Sequence, residues 1–439
     1  MKLSHLFHFH QIQKDIIFKI LSADFFFHPL YMEAFFALHR LTAQERREYQ
    51  YDRLKHLLRY AYRAIPYWHK HIDEGIMNSN IFDIEKFERL PILTRETLIK
   101  YGTELVVQNL KRHAFRTFTT SGSTGIPKKF VGSKVYCQKM VASEEYFVNF
   151  LDADFRTYGY MTPNLHLKDI VTLIPKLSSI ALQKLLRDKN ISALQGPLNR
   201  LLFLAEDIEA GKMQFKPKFV VSGSEFLTLE NKKYMEKVFQ CPVYNKYGCA
   251  EVGVLGLECT DRGGFHITQG NCYVEIVDDN GQPVSIGTQG KIVVTAFNNR
   301  LMPLIRYEIG DTGRWIDGEC TCGLNVPRLF FEGRKLDYVK FVDGRKFSAI
   351  DIMRGIDIKF ANIIAKQQIV QESLNKIVLK FVPGREYKPT HEKSMRDFIY
   401  TKFCGFPEIF VEVVMVSSLD NFKSGKHIIF KSYVKEGIS

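Results

Sequence analysis

The most informative stretch of this sequence is Thr119-Thr120-Ser121-Gly122-Ser123-Thr124-Gly125-Ile126-Pro127-Lys128, which we call the phosphate loop. It follows a β-type run around Phe118. Glycines let backbone N–H groups turn toward a bound anion, while the hydroxyl side chains add donors and the lysine adds positive charge. These are the groups that a polyphosphate requires, although a Gly/Ser-rich loop taken by itself is usually a solvated linker. The spacing of glycine and lysine differs from GxxxxGK[ST], so this is not a Walker loop.

Length and composition describe an ordinary globular protein with more than one domain. The 439 residues are 45% hydrophobic and 25% charged, which excludes a disordered chain. The formal net charge of +13 favours anionic partners such as nucleotides, polyanionic glycans or an acidic membrane surface. However, the basic residues are scattered, and no aromatic and basic nucleic-acid module appears. We therefore expect a small-molecule partner and no nucleic acid.

The N-terminal region and the cysteines predict a cytoplasmic location. Lys14, Asp15, Lys19 and Asp24 interrupt the apolar runs well before the length of a signal-peptide core or a membrane span. An amphipathic helix here packs either on the protein's own core or on the inner face of a membrane, as a peripheral association. The eight cysteines are not evenly framed, so reduced thiols or a metal site are favoured over disulfides.

The hydrophobic pattern predicts an α/β fold with three parts. Apolar residues recur at helical spacing from Thr42 to Tyr101, and strand-like runs alternate with helical ones from Phe115 to Phe239, including helices over Ser192–Ala210 and Leu229–Phe239. Short strands separated by glycine turns then fill Gly264–Trp315. We predict a helical segment (1–105), an α/β core with a β-rich subdomain (106–336), and a small α+β C-terminal domain (337–439).

The phosphate loop has a specific resemblance. The run TTSGSTGIPKK resembles the phosphate loop of the adenylate-forming superfamily, which includes acyl-CoA synthetases, luciferases and nonribosomal-peptide adenylation domains. HLLRYAYRAIPYWHK (56–70) and LPILTRETL (90–98) resemble the phenylacetate-CoA ligase-like branch, which includes CapK-type proteins of capsule biosynthesis. The resemblance implies that 106–336 is an ATP- and acyl-binding core, that 337–439 is a mobile lid domain, and that the protein binds ATP and Mg²⁺. It assigns catalytic roles to Thr124 and Lys128, and nucleotide binding to Thr120, Ser121, Gly122, Ser123, Thr124 and Gly125.

Two further segments follow in the order that the family has. Ser222-Gly223-Ser224-Glu225 resembles the lining of the adenine pocket, where Gly223 would permit close backbone approach to a flat ring. Tyr247-Gly248-Cys249-Ala250-Glu251 resembles the aromatic-Gly-x-Thr/Ser-Glu motif. By this resemblance Tyr247 stacks on adenine beside Gly248, and Glu251 binds Mg²⁺ as a catalytic residue. Ala250 replaces the usual hydroxyl residue, which puts the rate of adenylation in doubt.

The last signatures lie toward the C-terminus. Asp311 ends the segment Pro303–Asp311, which resembles the motif whose aspartate accepts hydrogen bonds from the ribose hydroxyls. Gly333-Arg334-Lys335-Leu336-Asp337 resembles the hinge signature, with Arg334 reaching the nucleotide and Asp337 at the swivel, although Leu336 replaces a common acidic residue. Lys426 occupies the position of the catalytic lysine that enters the active site from the lid domain. A cation is needed there because carboxylate and α-phosphate are both anionic.

Four residues form a candidate metal site. Cys259-x6-His266 and Cys320-x-Cys322 flank the β-rich segment, and sulfur and nitrogen ligands of this number suit a tetrahedral structural Zn²⁺. The spacing is not that of a common zinc finger. Buried free thiols and a core histidine are the alternative.

The resemblance implies adenylation of a carboxylic acid with release of pyrophosphate, followed by acyl transfer to the thiol of CoA, in capsule or surface polysaccharide biosynthesis. An amide ligase that joins a small acid to a glycan amine or uronate is one alternative. A degenerate nucleotide-binding scaffold protein is the other. The acyl pocket is expected around Tyr160–His166 and Gly196-Pro197, where a short, polar stretch favours a small or polar acid.

Overall fold

A computed structural model describes most of the chain. The described residues are 14–22, 28–78, 82–110, 115–120, 128–151, 158–160, 171–172, 178–223, 227–259, 261, 263–334, 338–360, 363–384, 386–420 and 428–434. They form two compact units, the first comprising Met1–Arg156 and Tyr244–Phe331, and the second comprising Thr157–Val243 and Glu332–Ser439. Within these ranges, no helix combines the length and hydrophobicity needed to cross a membrane.

Among the described residues, helices dominate the N-terminal third, alternate with strands as far as Phe239, and return at Ala349 and His391. Thr42 begins the longest described helix with a capping box, in which its hydroxyl accepts from the Glu45 N–H and the Glu45 carboxylate accepts from the Thr42 N–H. Pro66 opens the following helix, where its missing N–H costs nothing. The helices are α1 (Lys14–Ser22), α2 (His28–Leu38), α3 (Ala43–Ala64), α4 (Pro66–His71), α5 (Glu74–Asn78), α6 (Ile84–Glu88), α7 (Arg95–Lys100), α8 (Lys134–Phe150), α9 (Ser179–Asp188), α10 (Leu198–Glu209), α11 (Leu229–Phe239), α12 (Ala349–Lys359) and α13 (His391–Lys402).

Short strands dominate the middle of the chain. The strands are β1 (Phe115–Thr120), β2 (Lys128–Ser133), β3 (Tyr158–Tyr160), β4 (Val171–Thr172), β5 (Ala193–Pro197), β6 (Val220–Gly223), β7 (Val243–Cys249), β8 (Gly253–Glu258), β9 (Phe265–Ile267), β10 (Cys272–Val277), β11 (Gly290–Ala296), β12 (Tyr307–Ile316), β13 (Arg328–Arg334), β14 (Tyr338–Lys340), β15 (Lys346–Ser348), β16 (Ile364–Ser373), β17 (Lys376–Pro383), β18 (Phe410–Met415) and β19 (Phe430–Ser432).

The first unit is built on a sheet of strands in the order β10-β11-β12-β13-β9-β8-β7. The pairs β10–β11, β11–β12, β13–β9, β8–β9 and β7–β8 are antiparallel. Helix α3 contacts this sheet through buried polar side chains that bind backbone carbonyls. The Tyr49 hydroxyl lies 3.0 Å from the carbonyl oxygen of Gly270, and Gln50 Nε2 lies 3.1 Å from that of Cys272. These bonds satisfy polar groups that burial would otherwise leave unpaired.

A buried arginine connects the segment before α7 to β10 and β12. Arg306 is only 1% exposed, and its guanidinium lies 3.0 Å from the Glu275 carboxylate while also donating to the carbonyl oxygens of Glu88 and Leu90. The adjacent backbone adds two bonds, since the Leu93 N–H donates to the Arg306 carbonyl and the Glu308 N–H donates to the Leu93 carbonyl. The LPILTRETL segment thereby fixes the start of β12.

The described residues of the second unit form three groups of paired strands. Strands β4, β3, β5 and β6 are parallel neighbours, and an apolar cluster that includes Leu194, Leu201 and Val220 packs beside them. The C-terminal part has a four-stranded sheet in the order β18-β17-β16-β19, with α12 and α13 contributing to its buried core. The β14–β15 hairpin precedes this sheet in the chain.

The α/β fold and the β-rich segment are confirmed. The turn at Asn280-Gly281 connects β10 to β11, with Gly281 at a positive φ of 81°, and Leu229–Phe239 is helical as predicted. The prediction of one helix over Ser192–Ala210 is wrong, because Ala193–Pro197 forms β5 and the helix begins at Leu198. Pro197 marks the change, since the residue before a proline is biased toward extended backbone.

Candidate active site and metal centre

The two ends of the phosphate loop lie opposite each other on a hairpin. Strands β1 and β2 are antiparallel, and their register pairs Thr120 with Lys128. The expected phosphate-binding residues Ser121, Gly122, Ser123, Thr124 and Gly125 fall between these strands and lie outside the described residues. The structure therefore establishes where the loop begins and ends, and it places Lys128 at the first position of β2.

Lys128 is held by a carboxylate and a phenol from distant parts of the chain. Its Nζ atom lies 2.5 Å from Glu251 Oε1 and 2.7 Å from the hydroxyl of Tyr307. The same Nζ lies 5.8 Å from the ring centroid of Phe130 and 5.4 Å from that of Tyr307. The side chains of Lys128 and Glu251 are 11% and 6% exposed, so this is a largely buried ion pair. We call these three residues, Lys128, Glu251 and Tyr307, the charged triad.

Two tyrosines position Glu251. The Tyr307 hydroxyl lies 3.3 Å from Glu251 Oε1, and the Tyr136 hydroxyl donates to the Glu251 backbone carbonyl at 2.6 Å. Burial raises the pKa of Tyr136 well above its ordinary value, and burial together with the nearby Glu251 carboxylate raises that of Tyr307. Both phenols are therefore neutral near pH 7 and remain able to donate.

Glu251 fits the predicted Mg²⁺ role. Its carboxylate is a hard oxygen donor, and one protein carboxylate together with phosphate oxygens is a common Mg²⁺ environment. Lys128 contributes the other charge that a polyphosphate requires. Ala250 is exposed in the turn between β7 and β8. Its methyl side chain supplies no hydroxyl at this position.

The predicted adenine and ribose residues are in direct contact. The Tyr247 hydroxyl, at the end of β7, donates to Asp311 Oδ2 at 2.8 Å. The Tyr247 ring packs against Phe265 and Phe331, with centroid separations of 5.3 and 5.5 Å. Gly248 has a structural reason to be glycine, because an added Cβ would lie 2.4 Å from the Gly253 carbonyl oxygen.

The remaining predicted residues are described less fully. Gly223 is buried at the carboxyl end of β6, and Arg334 ends β13. Ser224, Glu225, the predicted hinge Asp337 and the predicted catalytic Lys426 lie outside the described residues, as does the predicted acyl-pocket stretch 161–166. These assignments therefore stay predictions.

The four predicted metal ligands converge. The ligand atoms of Cys259, His266, Cys320 and Cys322 all lie within 4.8 Å of one another. Cys259 Sγ is 3.4 Å from Cys320 Sγ, and Cys322 Sγ is 3.4 Å from His266 Nε2. We call this group the cysteine–histidine cluster. Cys259 directly follows β8, His266 lies on β9, and the other two cysteines lie between β12 and β13.

Burial keeps the ligand groups of the cysteine–histidine cluster uncharged in the absence of a metal. Burial raises the pKa of the Cys322 thiol to about 12 and also raises that of Cys259. Burial lowers the pKa of His266 to about 4, so its imidazole is neutral. A neutral imidazole and three thiols, once deprotonated by a metal, form a complete tetrahedral ligand set.

Tyr307 and Tyr136 were not predicted as site residues. Tyr307 lies within the motif that ends at Asp311, but Lys128 is separated from it by 179 positions. No local spacing indicates that pair. The signal that the sequence offers is a tyrosine next to an arginine within this motif, and it is a weak one.

Comparisons with known proteins identify relatives of this chain by sequence. No protein-family model matches the chain. The phenylacetate-coenzyme A ligase of Thermus thermophilus is 25% identical over 315 residues, covering 66% of this chain and 71% of that protein. Protein CapK of Staphylococcus aureus is 24% identical over 177 residues, covering 39% of this chain and 37% of CapK.

Solved structures share the fold. A 2-hydroxyisobutyryl-CoA ligase in the postadenylation state superposes with a TM-score of 0.74 at 17% identity, covering 89% of this chain and 90% of that one. The amide bond synthetase McbA from Marinactinospora thermotolerans gives a TM-score of 0.56 at 16% identity, covering 71% and 66% of the two chains. The predicted resemblance is confirmed: in sequence the chain is related to phenylacetate-coenzyme A ligases, and its fold is that of the adenylate-forming ligases.

Proposed function

We propose that this chain activates a carboxylic acid with ATP, forming an acyl-AMP and pyrophosphate, and then transfers the acyl group to the thiol of CoA. The observation that carries the proposal is the charged triad at the end of the phosphate loop. It combines a cation for phosphate with a carboxylate for Mg²⁺ in a fold that ligases of this class share. The Tyr247–Asp311 contact supports the same proposal, because the two residues suit a base and a ribose.

In the first half-reaction, a carboxylate oxygen of the acid attacks the α-phosphorus of ATP. The bond from that phosphorus to the bridging oxygen breaks, and pyrophosphate leaves with the electron pair, so no proton is transferred. When bound, Mg²⁺ neutralises charge on the phosphate oxygens. Lys128 and the hydroxyls of the phosphate loop hold the departing pyrophosphate. Asp311 orients the ribose, and Lys426 brings together the two anionic reactants.

In the second half-reaction, the CoA thiolate attacks the acyl carbon and AMP leaves. The 337–439 region acts as a lid that turns about Asp337 between the two steps. Among the solved neighbours, a 2-hydroxyisobutyryl-CoA ligase has been captured with an acyl-AMP and CoA together, which supports this order of events for a chain of the same fold. The short, polar stretch proposed for the acyl pocket favours a small or polar acid.

An amine acceptor is the second candidate. The match to protein CapK supports a role in capsule or surface polysaccharide biosynthesis, where an activated acid could be joined to a glycan amine or uronate. The similarity to the fold of an amide bond synthetase is compatible with that acceptor. For either acceptor we propose a cytoplasmic enzyme.

We also propose that the cysteine–histidine cluster binds a structural Zn²⁺. Three sulfur atoms and one nitrogen are the usual ligands of a closed, four-coordinate zinc site. Such a site performs no chemistry on the substrate, because no coordination position remains open.

A pyrophosphate–ATP exchange screen tests the proposed reaction. The purified protein would be incubated with labelled pyrophosphate, ATP, Mg²⁺ and single members of a panel of small carboxylic, amino, uronic and aryl acids. Exchange with one acid identifies the substrate. Subsequent comparison of CoA with hydroxylamine and amine acceptors identifies the second step. Nucleotide binding without exchange for any acid would instead support a scaffold protein.

A further inference from the structure

We infer that the Lys128 ammonium neutralises the Glu251 carboxylate in the nucleotide-free protein. We also infer that Tyr307 is the positioning residue that holds Lys128 when Glu251 binds the metal ion instead. The inference deepens the proposed function and rests on its assignment of Mg²⁺ to Glu251. It also predicts a property of the enzyme without nucleotide, which can be measured independently of the reaction.

The first step of the argument is the geometry of the charged triad. An ammonium group has three donors, and Lys128 directs two of them at Glu251 Oε1 and the Tyr307 hydroxyl, at 2.5 and 2.7 Å. The Tyr307 hydroxyl also lies 3.3 Å from Glu251 Oε1, so it can donate to the carboxylate while accepting from the ammonium. The phenol therefore bridges the two charges.

The second step is the cost of separating the charges. Glu251 and Lys128 are 6% and 11% exposed, and removing one partner of a buried pair leaves an uncompensated charge in a low-dielectric environment. A divalent cation can neutralise Glu251 only if Lys128 gives up its contact with the carboxylate. Lys128 and a metal ion thus compete for the same oxygen atoms.

The third step is the destination of Lys128. The Tyr307 hydroxyl accepts a hydrogen bond from the displaced ammonium, and the rings of Phe130 and Tyr307 lie within cation–π range of it. Nucleotide phosphates, bound by the loop that ends at Lys128, supply a stronger anionic partner. When phosphates draw the ammonium away, Glu251 becomes available to the metal. Metal and nucleotide therefore bind cooperatively, each strengthening the other by the same factor.

The test measures metal binding without catalysis. Mn²⁺ replaces Mg²⁺ as the probe, and its free concentration is followed by electron paramagnetic resonance after the cysteine–histidine cluster has been saturated with Zn²⁺. Titrations are performed with and without a non-hydrolysable ATP analogue. The variants are Lys128→Met, Tyr307→Phe and Glu251→Gln, with Lys129→Met as the matched control, because Lys129 is the exposed neighbour and carries the same charge.

Lys128→Met and Tyr307→Phe are expected to change the Mn²⁺ affinity in opposite directions. Lys128→Met should tighten nucleotide-free Mn²⁺ binding about tenfold and reduce its dependence on the analogue, because the competing ammonium is gone. Tyr307→Phe should weaken Mn²⁺ binding about fivefold, since the displaced ammonium then lacks its acceptor. Lys129→Met should match the wild-type protein. Adding Glu251→Gln to Lys128→Met should remove the tight Mn²⁺ site.

Equal Mn²⁺ affinity in the wild-type protein and Lys128→Met, or an equal gain in Lys129→Met, would overturn the inference. Tyr307→Phe retains both charges, so it tests the inference even where Lys128→Met fails to fold. Failure of the proposed function is distinguishable. A protein that exchanges no pyrophosphate but shows these shifts in Mn²⁺ affinity retains the counter-ion arrangement without the reaction, whereas unshifted affinities in an active enzyme reject the arrangement alone.

Discussion

Asp311 combines one observed contact with one proposed role at the level of a single residue. Its carboxylate accepts a hydrogen bond from the Tyr247 hydroxyl at 2.8 Å, and we propose that it also binds the ribose. The contact with Tyr247 would thus orient the carboxylate before nucleotide binds. A preoriented acceptor loses less conformational entropy on binding than a free side chain does.

We expect Asp311→Ala to weaken ATP binding between about tenfold and a hundredfold, because hydrogen bonds to an ionised acceptor are among the stronger ones. Isothermal titration calorimetry with ATP measures the effect. Asp279→Ala, which removes a carboxylate of an exposed aspartate in the β10–β11 turn, is the control. An unchanged ATP affinity in Asp311→Ala would place the ribose contact elsewhere.

Asp357 is the clearest titrating residue of the second unit. It is 6% exposed on α12, and its Oδ1 accepts from Gln367 Nε2 at 2.7 Å, while its Oδ2 accepts no hydrogen bond from any described residue. Burial and the nearby Glu230 carboxylate raise its pKa to about 7. Glu230 and Lys366 line the same small cavity.

The raised pKa predicts a pH-dependent stability. Between pH 4 and pH 7 the folded carboxyl of Asp357 retains its proton while the unfolded one has lost it. The free energy of unfolding therefore falls as pH rises through this window, by at most about 1.4 kcal/mol per pH unit. Asp357→Asn keeps the acceptor for Gln367 and removes the titration. We therefore expect its stability relative to wild type to increase from pH 5 to pH 8 in urea unfolding.

Asp351→Asn is the matched control for this prediction. Asp351 lies on the same helix but is exposed. The stability of Asp351→Asn should therefore depend on pH as that of the wild-type protein does. Parallel stability curves for Asp357→Asn and the wild-type protein would mean that the buried carboxyl does not determine the slope.

At the scale of elements, the cysteine–histidine cluster joins three segments of the first unit. Cys259 directly follows β8, His266 lies in β9, and Cys320 and Cys322 lie in the connection from β12 to β13. The same β12 carries Tyr307 and Asp311. A metal bound by these ligands would therefore limit the motion of the strands that present the nucleotide-site residues.

We expect one Zn²⁺ per chain by elemental analysis, and we expect chelation to lower the Tm by roughly 5 °C or more, because binding to a folded ligand set contributes directly to stability. Cys320→Ser should reduce the zinc content and the Tm together. Cys404→Ser, which changes an exposed cysteine outside the cluster, should leave both unchanged. A full Tm in metal-free protein would indicate that the thiols pack without a metal.

The elements show which parts of the fold local sequence can predict. Leu229–Phe239 was predicted correctly because Thr228 caps the helix and its apolar spacing is regular. The prediction for Ser192–Ala210 is wrong, because its leucine-rich run continues from a buried strand into a helix. Only Pro197 marks the boundary between the strand and the helix. The pairing of Leu93 with β12 was also beyond prediction, since it depends on the conformation of a distant arginine.

At the scale of the whole molecule, the order of motifs along the chain predicted the fold. It could not predict which side chains would meet, because the contact between Lys128 and Tyr307 arises from the folded sheet rather than from sequence spacing. The four proposed metal ligands are the exception, because the structure brings them together as predicted. Their residue types carry enough chemical specificity to indicate a cluster before its geometry is known.

A reaction of two half-steps gives a prediction for the complete enzyme. Lys426→Ala should abolish pyrophosphate–ATP exchange while leaving thioester formation from supplied acyl-AMP largely intact, because the cation is required only where two anions are brought together. Lys423→Ala, which removes the lysine three positions earlier in Phe422-Lys423-Ser424-Gly425-Lys426, is the control. Equal loss of both half-reactions in Lys426→Ala would remove its assignment.

The Lys128–Glu251 pair also affects how this chain can evolve. Substitution of either residue alone would leave a buried charge without its partner and cost about 3 to 5 kcal/mol, a large share of the stability of a typical domain. A lineage that lost the need for nucleotide would therefore keep both residues unless it replaced them together. Selection for stability alone can therefore maintain this pair. Its presence in a descendant sequence would not by itself show selection for catalysis.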